Sequence, residues 1–236
     1  MAELHEAFLE VAALIAARDR ALVEIVLLSL RVSLSALVLA TLVALPAGAA
    51  LGVARFPGRR VLVVLLNAGM GLPPVVVGLF VYLLLSRSGP LGSLGLLFTP
   101  TAMIIAQSVL ITPIIAALTR QVVEDLWEEY EEELRSLGAR ASRALWTLLW
   151  DGRYRLLTAI LAGFGRATAE VGAVLIVGGN IAHVTRVMTT AIALETSRGD
   201  LSLALALGLV LMLLSLVVNA AATLAGDVAR AVEGRT

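Results

Sequence analysis

Lysine and cysteine are both absent from this 236-residue chain, and all 18 of its basic residues are arginine. A phosphate-binding loop of the form G-x-x-x-x-G-K-[ST] needs its lysine against the nucleotide phosphates, so none can exist here. Any ATP that drives the function must be hydrolysed by another subunit, and the chain itself is expected to carry no cofactor. Without thiols there is no disulfide, no thiolate nucleophile and no cysteine-based metal site. Histidine occurs only at His5 and His183, far apart and outside any H-E-x-x-H pattern, which argues against a metalloprotease. No G-x-S-x-G nucleophile elbow occurs either. No acid pair suited to an intramembrane aspartyl protease stands out, so neither a catalytic residue nor a metal ligand is assigned. Charged residues make up 15% of the chain and sum to a formal charge of zero, leaving no basic field to draw nucleic acid.

What the chain has instead is apolar length. At 59% hydrophobic it falls in the membrane class. Residues 1–20 read as an amphipathic helix lying in the interface, with Phe8, Leu9, Ala12 and Ile15 against Glu3, Glu6, Glu10 and Arg18. The acidic start is unlike a signal peptide, whose first residues are basic. Five spans follow, over about 28–54, 61–85, 101–119, 156–177 and 201–225. Pro46 and Gly48 permit a bend in the first. Gly69 to Pro74, with a double proline, must break or kink the second, since two backbone donors are missing. Between the fourth and fifth spans, residues 187–196 could form a short helix on the membrane surface. The result is an all-α polytopic membrane protein, read as one transmembrane domain over 1–236 with its membrane core over 28–225. No internal repeat is visible.

One long hydrophilic island interrupts this pattern, over 120–155. Fourteen of its residues are charged, seven of them acids between Glu124 and Glu133, with arginines following at Arg135, Arg140, Arg143, Arg153 and Arg155. Glu124 to Leu137 is rich in strong helix formers. Gly138 is suited to end that helix in a left-handed turn, and Ser142 to cap a second helix carrying Leu145, Trp146, Leu148 and Leu149. The island therefore reads as a charged elbow outside the bilayer. It is either an ordinary solvated loop or a rigid docking element for another protein. Arginine placement orients the chain: eleven lie in the 55–60 turn, the elbow and the tail, against five on the opposite side. The elbow and the C-terminus are thus expected in the cytoplasm and the N-terminus outside.

Two charges fall inside the fourth span. Arg166 and Glu170 are four residues apart, hence on one helix face. Each costs about 2.5–3.5 kcal/mol at a bilayer centre, so both must face protein or water, paired. They form either a structural salt bridge or part of an anion path in which Arg166 attracts the anion and Glu170 latches it. With Asn67, Gln107, Ser108 and Thr112 they make a weakly polar set suited to an ion that passes without staying. Asn180 and Arg186 in the connection that follows are further candidates for the path, Arg186 as a second arginine to attract the anion.

The elbow and the residues after it resemble a known family. Glu132-Glu133-Leu134-Arg135-Ser136-Leu137-Gly138 is similar to the E-A-A-x-x-x-G loop of ATP-binding cassette (ABC) importer permeases, although Glu133 and Leu134 replace its alanines. The downstream Leu-Pro of that loop is missing, with Leu149-Trp150-Asp151 roughly in its place. Gly163 to Ala173, continuing through Gly178-Gly179-Asn180-Ile181, resembles the molybdate/sulfate/tungstate branch. Thr185 to Thr196 is most similar to tungstate permeases, and Ser29 to Leu34 to the family's first span. The resemblance implies a type I importer permease in a prokaryotic inner membrane. It would form a homodimer bearing two ATPase subunits that bind ATP and magnesium, served by an external solute-binding protein. The elbow would be the coupling helix, with Glu132, Glu133, Arg135 and Gly138 at the ATPase contact. The alternatives are a molybdate or sulfate permease, a stand-alone channel or secondary carrier, and an intramembrane enzyme. Carriers commonly show repeated halves, which this chain lacks.

Overall fold

The computed structural model describes residues 20–138 and 141–233. Among them every regular element is helical: α1 Arg20–Val53, α2 Arg59–Met70, α3 Pro74–Leu85, a 3-10 turn Gly92–Leu94, α4 Pro100–Ser136, α5 Ala141–Asp151, α6 Arg153–Thr168, α7 Gly172–Gly178, α8 Met188–Arg198 and α9 Leu201–Glu233. The amphipathic helix expected over 1–20 lies outside the described residues, apart from Arg20 at the start of α1. Three helices are long and apolar enough to cross a membrane: α1, α4 and the Leu201–Leu224 part of α9. The bent pairs α2–α3 and α6–α7 bring the total to five if each is one span, the number expected.

The break between α2 and α3 falls where the double proline put it. Pro73 is extended (φ −64°, ψ 121°), as the residue before a proline must be, and Pro74 opens α3, where its missing N–H costs nothing. Helix ends and span ends do not coincide at two places. The helix of the third span does not stop at the polarity change near Thr119; α4 is one helix of 37 residues from Pro100 to Ser136, which joins the apolar span to the first arm of the elbow. Hydropathy changes at Arg120 but no helix breaker follows until Gly138, and polarity alone does not end a helix. The fourth span is not continuous. It breaks between Thr168 and Gly172, which removes Glu170 from the helix that carries Arg166.

The described residues divide into two compact units, 20–36, 73–107 and 166–217 in the first and 37–72, 108–138, 141–165 and 218–233 in the second. In the first, Leu22, Ile25, Met188, Ala191, Ala206 and Leu207 form a core. The short helix expected over 187–196 is α8, which buries Met188, Thr189, Thr190 and Ala191 against the rest of this unit. In the same unit α3 and α7 touch backbone to backbone: a Cβ on Gly78 would stand 2.6 Å from the Ala173 Cα. In the second, Ala49, Val122, Val123, Leu126, Leu148 and Leu156 form the core. There α1 crosses α4 at a glycine, since a Cβ on Gly48 would lie 2.5 Å from the Ala116 carbonyl oxygen. Such contacts suit a membrane protein, where lipid is as apolar as leucine and close packing must do what hydrophobic burial does in water.

Candidate translocation path and coupling elbow

The break between α6 and α7 is held by side chains. A helix interrupted at this point leaves carbonyls at the end of α6 and N–H groups at the start of α7 without partners. The Gln107 amide donates to the Ala167 carbonyl at 3.0 Å. The Thr189 hydroxyl donates to the Glu170 carbonyl at 2.8 Å. The Glu170 carboxylate accepts the Ala173 N–H at 3.0 Å, and its other oxygen takes Arg166 at 2.7 Å. Glu170 is 3% exposed and Arg166 one-third exposed. The pair predicted from the four-residue spacing therefore exists, but across a helix break rather than along one face.

Around these groups lies a cavity of about 10 Å³, bordered by Ser29, Ser33, Gln107, Glu170 and Thr189. That is room for about one water and far too little for a tetrahedral oxyanion. Gln107 Oε1 is buried with no hydrogen-bond partner among the described residues. Ser29 reaches from α1 to accept the Met188 N–H at 2.7 Å, which caps α8.

The other expected path residues are held separately. Asn180, in the left-handed region at φ 50°, donates to the Thr190 carbonyl at 3.3 Å. Arg186 pairs at 3.6 Å with Glu195, a buried acid that Arg198 also reaches at 3.3 Å. Ser108 belongs to the second unit, where its carbonyl accepts the Thr112 hydroxyl at 2.6 Å. Each arginine expected to attract an anion thus already has a carboxylate, so an incoming anion would compete with Glu170 or Glu195 for it. Glu195, Thr189 and Ser29 were not singled out as site residues. A serine or threonine within an apolar stretch gives no sign of which backbone group it will serve.

The elbow is built in the second unit. Glu124 takes Arg59 at 2.7 Å and also pairs with Arg120; Arg155 reaches Asp125 at 2.6 Å, and Arg55 stands 4.0 Å from Glu131. These pairs tie the 55–60 turn, α4 and the start of α6 together. Beneath them α5 buries Ala144 and Leu148, and Gly152 lets it close on α4, since a Cβ there would meet Val122 at 2.9 Å and Leu126 at 3.0 Å. At the tip Glu132 and Glu133 are exposed, Arg135 pairs back to Glu131 at 2.6 Å, and Gly138 turns the chain at φ 64°. Leu137 is 80% exposed. The Tyr130 phenol is pushed above its ordinary range by desolvation first and then by the carboxylates of Glu129, Asp151 and Glu133. The elbow is thus a braced projection ending in acids and one bare leucine.

Residues 44–226, which take in both the elbow and the α6–α7 break, match the inner membrane component of binding-protein-dependent transport systems. This chain belongs to that family. It is 42% identical over 204 residues to a probable anion ABC transporter permease protein of Haloferax volcanii, covering 84% of this chain and 88% of the relative. It is 40% identical over 220 residues to the tungstate uptake system permease protein TupB of Peptoclostridium acidaminophilum, covering 93% and 96%. A sulfate transport system permease protein, CysW of Synechocystis sp., is more distant at 32% over 170 residues, covering 69% and 62%. The chain is therefore an all-α, multi-pass inner-membrane transport component of the ABC permease type. Membership implies an ATPase and a binding protein as partners.

Proposed function

We propose that this chain is the permease subunit of an ABC importer for tetrahedral oxyanions, and that its substrate is tungstate. The observation that carries the reading is the 40% identity to a tungstate permease across 93% of the chain. The more distant sulfate permease makes sulfate the second reading. Lacking lysine, the permease has no phosphate-binding loop of the G-x-x-x-x-G-K-[ST] kind and relies on two ATPase subunits that hold ATP and magnesium. The elbow faces the cytoplasm with the C-terminus, and the N-terminus lies outside. Glu132, Glu133, Arg135 and Gly138 meet the ATPase, and the continuous rod of α4 carries its movement into the membrane. A solute-binding protein delivers the anion to the outer face. Arg166, Glu170, Gln107, Ser108, Asn180 and Arg186 line or control the path. In the conformation described, Glu170 occupies Arg166, and opening exchanges that carboxylate for the passing anion.

Two copies form the path. Support comes from α2, none of whose residues is buried and whose Asn67 is exposed in the middle of an apolar helix. The irregular backbone of Gly71, Leu72 and Pro73 is exposed as well. Neither is tolerated against lipid; both need protein or a water-filled path over them. The test is uptake of labelled tungstate by cells expressing the permease with its ATPase and binding protein, challenged with molybdate or sulfate in excess. Tungstate uptake that resists sulfate supports the reading. Sulfate uptake that ignores tungstate replaces it with the second.

A further inference from the structure

We propose that the apolar groove between α1 and α5 is a phospholipid site, with an acyl chain in the groove and the lipid phosphate at Arg153. The groove encloses about 410 Å³ between Leu42, Leu45 and Pro46 of α1 and Trp146 and Leu149 of α5. A second limb of about 240 Å³ shares Leu45, Trp146 and Leu149 and runs past Trp150 to Arg153. The space is many times the ~30 Å³ share of a water molecule, and its walls offer almost no hydrogen-bond partners, so water is a poor filler. A flexible hydrocarbon chain restores the dispersion contacts that empty walls lack.

The far end of the groove has the chemistry of a headgroup site. Arg153 is exposed and forms no ion pair among the described residues, unlike Arg59, Arg120 and Arg155 in the same unit. Its guanidinium sits 5.2 Å from the Trp150 ring centre and 4.7 Å from that of Tyr154, and donates to the Trp150 carbonyl at 2.8 Å. That holds the charge in place with donors left over for a phosphate. Trp146 and Trp150 are 71% and 66% exposed, the placement of aromatic side chains at a bilayer boundary. Charge thus waits at one end of a long apolar slot beside a membrane span, the pattern a phospholipid complements. Only the choice of leaflet rests on the cytoplasmic placing of the elbow; the binding itself does not depend on which anion is carried.

The test is native mass spectrometry of the detergent-purified transporter, titrated with phosphatidylglycerol and with diacylglycerol of the same chains. One phosphatidylglycerol per permease chain should survive removal of detergent. Leu42→Trp fills the groove from a position already 68% exposed, so folding is spared, and retention should fall at least tenfold. Arg153→Gln should weaken phosphatidylglycerol about fivefold, as loss of one arginine near a lipid phosphate implies, and leave diacylglycerol unchanged. Equal retention by wild type and Leu42→Trp would overturn the proposal. So would equal retention of the two lipids, or a cross-link through Trp146→Cys to a second copy seated in the groove. None of these readouts uses transport, so they stand apart from the oxyanion reading.

Discussion

The Glu170 carboxylate caps the helix that begins two residues after it, accepting the Ala173 N–H at 3.0 Å while its other oxygen holds Arg166. One side chain therefore serves both a helix terminus and a charge beside it. Glu170→Ala leaves a buried N–H without an acceptor and should cost about 1–3 kcal/mol, read as a lowered unfolding temperature in detergent. Glu170→Gln keeps an acceptor for Ala173 and should cost less than half as much. If the two variants are equally unstable, the capping role is wrong.

Glu124 is the brace of the elbow, shared by Arg59 and Arg120. Both arginines and the acid are at least partly shielded, so Glu124→Ala should cost roughly 1 kcal/mol and make the unfolding temperature less sensitive to salt. Salt sensitivity unchanged from wild type would mean that the network contributes nothing.

Gly138 has φ 64°, and no described residue lies within 4 Å of where its Cβ would be. The demand there is purely on backbone conformation. Gly138→Val should disfavour the turn by about 1–2 kcal/mol and reduce uptake, whereas Gly138→Asn, which visits the left-handed region readily, should keep most of it. Uptake assays with the ATPase subunit still co-purifying would check this. Full activity in Gly138→Val would remove the turn from the account.

The exposed Asn67 on α2 makes a prediction about the second copy. Asn67→Cys should form a symmetric cross-link between two permease chains with a short bifunctional thiol reagent, as the chain has no other cysteine. Failure to cross-link, with a cysteine at the exposed Leu65 succeeding, would move the interface to another face.

Much of this was legible in the sequence because lipid and proline leave strong marks. The five apolar stretches, the break before Pro74 and the left-handed turn at Gly138 each follow from one local rule. The break at 169–171 left no such mark. Nothing between Thr168 and Gly172 forbids a helix; Gln107 and Thr189, distant in sequence, hydrogen-bond the carbonyls of Ala167 and Glu170 at the bend. The continuity of α4 is hidden for the opposite reason: polarity changes at Arg120, where the apolar span gives way to the charged elbow, yet the helix does not stop. The pairing of Arg166 with Glu170 was foreseen from spacing, yet the geometry that produces it is a different one. Polarity alone marks Asn180 and Arg186 as candidates for the path, and it does not show their partners on α8.

The central claim is that this permease moves an oxyanion only when an ATPase works its elbow. Proteoliposomes holding the permease, with labelled tungstate and the binding protein outside and ATP within, test it directly. Uptake should require the ATPase subunit and should be lost in Glu132→Lys although the ATPase remains bound. Uptake by the permease alone, or full uptake in Glu132→Lys, would contradict the account.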